Sequence, residues 1–476
     1  MPASNGDESE KADAAQSRLN LPPAFRKRSD LPVIRLSLAM RCRACLTLLP
    51  LLVGLAACGE QPPTDGRHDD ALPDGPFANV IETDPLTPVP IHLTPADLPA
   101  PYHSASASQS ARVVAMPEAP RLQVPDGFTV NVFASRLDGP RRLVLSPDGD
   151  VLVAESRANR IRRLRDTDGD GSADGPDDVN DVFADAANEL DKPFGMVFAG
   201  DALFIAGEGA VRSYPFAPGQ TRLEGTGTVV TTLPTGGHWT RNLALSPDGR
   251  QLYVAIGSAT NVDPEPLPRA SVQVMNLDGS DRRTFAHGLR NPVGLAFHPT
   301  TGALYTTVNE RDRLGDDLVP DYLTRLQEGA FYGWPYAYLT PDRLDPRRLD
   351  DGRSERPDLA AQTRTPDVLF QAHSAALGLA FYDATAFPER YRGGAFVAFH
   401  GSWNRNPATG YKVVFVPFDA AGRPTGAYED FLTGFLSDPA APTTWARPVD
   451  LLLLPDGSLL ISEDGNGRLL RVTYTG

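Results

Sequence analysis

The sequence predicts an all-β fold, a six-bladed β-propeller, and three observations carry that expectation. One phrase, an alternating apolar strand, a tight turn and a second apolar strand, returns six times: at Gly139, Pro193, Thr240, Arg290, Ala376 and Arg447. Alternation broken by Pro-Asp-Gly and similar turns is the pattern of a hairpin. The repeats fall roughly 50 to 85 residues apart, a spacing suited to propeller blades. Turn formers are abundant as well, with 42 glycines and 45 prolines in 476 residues.

Ahead of the repeats the chain divides by composition. Residues 1–39 are charged and unpatterned and precede a better start at Met40, so they are expected to be a non-native extension. Residues 40–57 read as a signal peptide: Arg41 and Arg43 flank the apolar run Leu46 to Leu55, and small residues follow. Leu55-Ala56-Ala57-Cys58 is similar to a bacterial lipobox, which implies lipidation of Cys58 and a membrane-anchored, exported lipoprotein facing the periplasm. Cys42 and Cys45 lie in the part to be removed and carry no metal or redox expectation. Residues 58–120, rich in Pro, Ala and Asp, are expected to be a disordered tether. The propeller then occupies residues 121–476. A formal net charge of −15 argues against nucleic acid as a partner.

In a propeller the loops that lead into the inner strands converge on one end of the channel. That places His238, Arg241 and Asn242 with Arg290, Asn291, Arg311, Asp312, His373, His400, Trp403, Asn404, Arg405 and Arg447 around a shared pocket, while Arg141 and Arg142 have no settled direction. Guanidinium and amide donors in that number suit an anionic ligand with several carboxylates. Away from the channel, DTDGDGSADGPD at 166–177 spaces Asp166, Asp168, Asp170, Asp174 and Asp177 like a calcium loop, with Gly171 at the sharp turn. A structural calcium site is expected there.

The motifs GGHWTRN, HGLRNPVGLAF, VNERDRLGDDLVPDYL, FYGWP, HGSWNRNPATGYKVVFVPF and RPVDLLLLPDGSLL, in this order, resemble the glucose/sorbosone dehydrogenase family, whose cofactor is pyrroloquinoline quinone (PQQ). The nearest branch is the L-sorbosone and fungal pyranose dehydrogenase type. The resemblance implies oxidation of an aldose, sorbosone or related sugar aldehyde, with PQQ and calcium as cofactors. It makes His238 the general base, working near its own pKa, and Arg290 a helper at the reacting carbonyl. Asn291, Arg447, Arg405, Asn404, His373 and Arg241 become cofactor contacts, and Arg311 and Asp312 main-chain ligands of a catalytic calcium. Ser258 replaces the aspartate that assists the histidine in relatives, with Asp263 as a possible substitute. No Cys-x-x-Cys-His follows the signal peptide, so electrons are expected to leave to a separate acceptor. Two alternatives stay open: a calcium-dependent lactonase-type hydrolase, and a non-catalytic propeller that binds sugar or protein.

Overall fold

A computed structural model describes residues 79–476. Six sheets of antiparallel strands form the blades, and their inner strands are Pro140–Leu145, Met196–Ala199, Arg241–Leu245, Asn291–Phe297, Ala376–Phe381 and Pro448–Leu453. Each inner strand neighbours the next, and the sixth neighbours the first, so the ring is closed. The six repeats seen in the sequence are the six blades.

The inner strands crowd one another, and glycine makes this possible. A Cβ on Gly195 would lie 2.6 Å from the Arg241 carbonyl oxygen, one on Gly294 2.4 Å from that of Leu377, and one on Gly378 2.6 Å from Asp450 Cα. The sequence runs PFGM, PVGL and ALGL therefore mark points where neighbouring backbones meet. Beside those glycines Phe194, Val293, Leu377 and Val449 form an apolar plug, with Trp239 packed on it. Dry, close-packed side chains thus floor the channel.

Blade 6 is built from both halves of the chain. Pro448–Leu453, Leu459–Glu463 and Arg468–Tyr474 pair in order, and Arg468–Tyr474 then pairs with Phe128–Ala134. Asp450 joins this blade to the first one: its carboxylate accepts from Arg142 Nη1 at 3.0 Å and from the Leu143 amide at 2.8 Å. Arg142 is thereby a ring-closing residue and does not line the site.

Of the expected tether, residues 79–120 are described, and parts of them form strands packed on the propeller. Val80–Pro85 is a strand that pairs with both Phe128–Ala134 and Arg121–Val124 and buries Ile81, and Arg112–Val113 pairs with Thr443–Thr444. Between these strands the chain crosses the propeller as a strap. The expectations for residues 1–39, for the signal peptide and for Cys58 fall outside the described residues.

Candidate functional site

His238 leads into the inner strand of blade 3, and Ser258 follows the second strand, Gln251–Ile256, of the same blade. The His238 amide donates to the Ser258 carbonyl at 2.9 Å, and the ring Nδ1 lies 2.8 Å from that oxygen and 3.1 Å from Ser258 Oγ. A carbonyl can only accept, so Nδ1 carries the proton and Nε2 keeps its lone pair. Burial, then the charge of Arg290, lowers the His238 pKa to about 4. The ring is therefore neutral across the physiological range, well below the near-neutral pKa expected of it.

This shift has a measurable consequence. Between the ordinary value of 6.5 and about 4 the unfolded chain takes up a proton that the folded ring refuses, so His238 costs stability as pH falls through that window. His400, lowered to about 4 chiefly by burial, acts in the same direction. Nitrogen-detected NMR of the apoprotein should show both rings neutral at pH 5.

Arg241 does not reach the pocket. It is fully buried, and its guanidinium donates to the carbonyls of His238 at 2.6 Å, Thr240 at 2.9 Å and Pro234 at 2.6 Å. It shapes the His238 loop from beneath, which corrects its expected role as a cofactor contact. Arg269 adds a bond to the Gly236 carbonyl at 2.7 Å.

Arg290, from blade 4, stands close enough for its charge to act on His238. Its guanidinium gathers the Asp312 carboxylate at 2.8 Å, the Glu310 carbonyl at 2.7 Å and the Asn261 carbonyl at 3.2 Å. Asp312 in turn sits 3.6 Å from His373 Nδ1, while His373 Nε2 donates to the Gly315 carbonyl at 3.0 Å. Burial works against charge on Asp312, yet Arg290 and His373 hold its carboxyl below the usual range. His373 keeps a left-handed backbone, φ +66°, next to a firm anchor: the Asp321 carboxylate accepts from the amides of Glu310 at 2.9 Å and Ala375 at 2.7 Å. His373 is thus spent on the loop and on Asp312, not turned to open space.

The main-chain groups expected on calcium sit in this same loop. The Asn261 amide pairs with Asp312 in both directions, accepting from its N–H at 2.9 Å and donating to its carbonyl at 3.1 Å. Arg311 is buried in an ion pair with Asp345 at 3.0 Å. Asn261 was not anticipated, since nothing in its sequence context marks it. Asp263, the imagined partner of His238, lies instead against Arg348 at 3.3 Å.

Two further expected contacts lie at blade 5. Asn404 Oδ1 accepts from the Arg313 amide at 2.7 Å, and its Nδ2 donates to the Ala107 carbonyl. Arg405 donates to the Asp316 carbonyl and pairs with Asp317 at 2.7 Å. Asn404 is thus engaged with the chain on both sides of its amide, whereas Arg405 commits only Nη1 and keeps a buried Nε without a partner.

Opposite Arg290, blades 1, 5 and 6 supply a second cationic group. Asp464 holds His400 Nε2 at 2.8 Å and forms an ion pair with Arg141, whose guanidinium lies 5.5 Å from the Trp239 ring and 5.7 Å from Phe194. Burial opposes charge on Asp464, but His400 and Arg141 outweigh it and keep the carboxylate ionised. Arg447 donates through Nε to the His400 carbonyl at 3.2 Å and rests over Tyr411, leaving its two terminal nitrogens without a partner among the described residues. Arg141, Asp464 and Trp239 border a cavity of about 380 Å³, with Asn159 and Lys192 on its far side. Sequence reasoning left Arg141 unassigned and missed Asp464. Asp464 follows its strand by one residue, as His400 follows its own, which was the available signal.

In the acidic loop, the carboxylates that converge are Asp166, Asp168 and Asp178. Asp178, not Asp177, closes the loop, accepting from the amides of Thr167 and Gly175 at 2.8 Å each. Asp174 turns away to Ser135, and Asp170 caps the Ser172 amide.

A family model described as TrAA12-like matches residues 122–321 and 350–475. Among curated proteins, one of Borreliella burgdorferi, itself uncharacterized, is 27% identical over 372 residues, covering 74% of this chain and 91% of that one. A pyrroloquinoline quinone-dependent sugar dehydrogenase of Hypocrea jecorina is 25% identical over 393 residues, covering 72% and 87%. Among solved structures, the holo PQQ domain of a pyranose dehydrogenase from Coprinopsis cinerea superposes with a TM-score of 0.62 at 22% identity, over 77% of this chain and 100% of that one, which is a likeness of fold.

Proposed function

The chain belongs to the TrAA12-like family, and from that premise we propose that it is a PQQ- and calcium-dependent sugar dehydrogenase. In this reading it is exported and anchored through Cys58, oxidises an aldose, sorbosone or a related sugar aldehyde, and passes electrons to a separate acceptor. The observation that carries the reading is His238: a neutral, buried imidazole whose Nδ1 is fixed by Ser258, so that Nε2 is the basic atom, beside the cationic Arg290.

The residues present suit a flat ligand bearing several carboxylates. Arg447 has unmatched terminal nitrogens and Arg141 Nε is buried without a hydrogen-bond partner, both free to donate to carboxylates; Asn291 Oδ1, likewise unpaired, can accept from a ligand N–H, and a cavity opens beside Arg141 and Asp464. Buried polar atoms left unpaired cost free energy, which a bound polar ligand would recover. Arg447 and Asn291 would hold such a ligand by its rim, Arg290 would face its reactive edge, and loop 310–312 would supply calcium with oxygen ligands. When bound, the quinone accepts a hydride and the calcium polarises its carbonyl.

The chain's own part is positional and acid–base. His238 Nε2 takes the proton of the substrate hydroxyl, and Ser258 keeps the ring from turning as it does so. Arg290 stabilises negative charge that develops beside it. The apolar plug under Trp239 closes the floor against water. Arg141 and Lys192 stand where the sugar's outer hydroxyls would meet the cavity wall.

The test is dye reduction by the purified protein loaded with PQQ and calcium, across a panel of aldoses and sorbosone. Reduction that requires both PQQ and a sugar supports the proposal; absence of PQQ binding at micromolar concentration rejects it. Arg447→Ala is expected to weaken PQQ binding about 10- to 100-fold, the loss of one charge-assisted pair. Fluorescence titration of the apoprotein reads it, and wild-type affinity would remove Arg447 from the site.

A further inference from the structure

The strap that crosses the propeller before residue 122, where the family match begins, grips the loop that carries the site. The Asp316 amide donates to Ser104 Oγ at 2.8 Å and the Gly315 amide to Ser106 Oγ at 3.1 Å. The Tyr102 amide donates to the Leu314 carbonyl at 2.8 Å, and the Gln109 amide to the Trp403 carbonyl at 2.7 Å. Asn404 bridges the two segments, taking the Arg313 amide on one side and giving to the Ala107 carbonyl on the other. Three direct strap contacts thus fall on Leu314, Gly315 and Asp316, and Asn404 links Arg313 to the strap.

That loop is the one whose upstream end binds Arg290 through Asp312 and whose Gly315 carbonyl orients His373. Arg313 and Gly315 both hold a left-handed backbone, φ +72° and +112°. A stretch with such conformations needs outside contacts to keep one shape. Of the contacts within the 313–316 backbone, those from the strap come from hydroxyls and backbone groups that a tether composition hides.

We propose that Ser104 and Ser106 are positioning residues: they fasten loop 312–316 so that Asp312 and His373 stay set against Arg290, and thereby govern how firmly the cofactor is held. The cofactor half of this statement rests on the functional reading above. The fastening half does not.

The test is a double variant, Ser104→Ala with Ser106→Ala, against a control at the exposed Ser110→Ala. In the apoprotein, hydrogen exchange of the Gly315 and Asp316 amides is expected to quicken about three- to tenfold per lost bond, while amides of the blade strands keep their rates. PQQ affinity by fluorescence titration is expected to fall about tenfold, with the thermal midpoint little changed. Ser104→Thr, which keeps the hydroxyl, should restore exchange at Asp316. Unchanged exchange at Gly315 and Asp316 overturns the fastening. Faster exchange with wild-type PQQ affinity overturns the link to the cofactor. A wild-type protein that binds no PQQ defeats the dehydrogenase reading, and exchange still decides whether the strap fastens the loop.

Discussion

Replacing His238 with alanine is expected to lower kcat about 10²- to 10⁴-fold, the usual contribution of a positioned base, while PQQ affinity stays within about threefold of wild type. The geometry separates the two effects. His238 is held by its own loop and by Ser258, and Arg447 and Asn291 are held by other blades. Removing the ring therefore leaves the cofactor contacts standing. Stopped-flow reduction of the loaded enzyme by sugar reads the chemical step directly. A variant that reduces at the wild-type rate would remove His238 from the reaction, and one that loses PQQ would make it a cofactor ligand instead.

Gly257→Ala is expected to be nearly as damaging, although glycine itself does no chemistry. A Cβ there would lie 2.4 Å from Asn291 Oδ1 and 2.6 Å from His238 Cβ. Such distances are impossible, so at least one of the two must move. His238 Cβ is the root of its side chain, where no rotation gives relief, and its ring is already tied to Ser258. A displacement near 1 Å at the base costs about 10²-fold in rate, and overpacking adds a destabilisation of about 1–3 kcal/mol. Steady-state kinetics beside a thermal melt tests this. Wild-type kcat would show that the wedge between base and amide can widen without cost.

The propeller was legible because its hairpins repeat the same alternation, and because glycines recur where inner strands touch. The position of His238, Arg290, Asn291 and Arg447 at the channel end was legible because each stands at or just before the start of an inner strand. Where the reading failed, the reason is that residue type shows a donor and not how the donor is spent. Arg241 and Asn404 have the chemistry of cofactor ligands but bond to backbone groups of their own chain. Asp464 and Asn261 act through partners hundreds or dozens of residues away, and a single sequence carries no trace of that pairing. The strap was taken for a tether because it is attached by short strands and hydroxyls, without the apolar periodicity that reveals a buried strand. The substitution of Asp178 for Asp177 reflects how a loop's fold decides which carboxylate turns inward.

The mixed sixth blade sets an order of events. Arg468–Tyr474 is the strand on which Phe128–Ala134 docks, so the ring cannot lock until residues 468–474 have been synthesised. Until then Arg141 and Asp464, which face each other where blade 6 meets blade 1, stand apart. The pocket is consequently a late product of folding, and a nascent or truncated chain cannot capture its ligand early: loading follows closure.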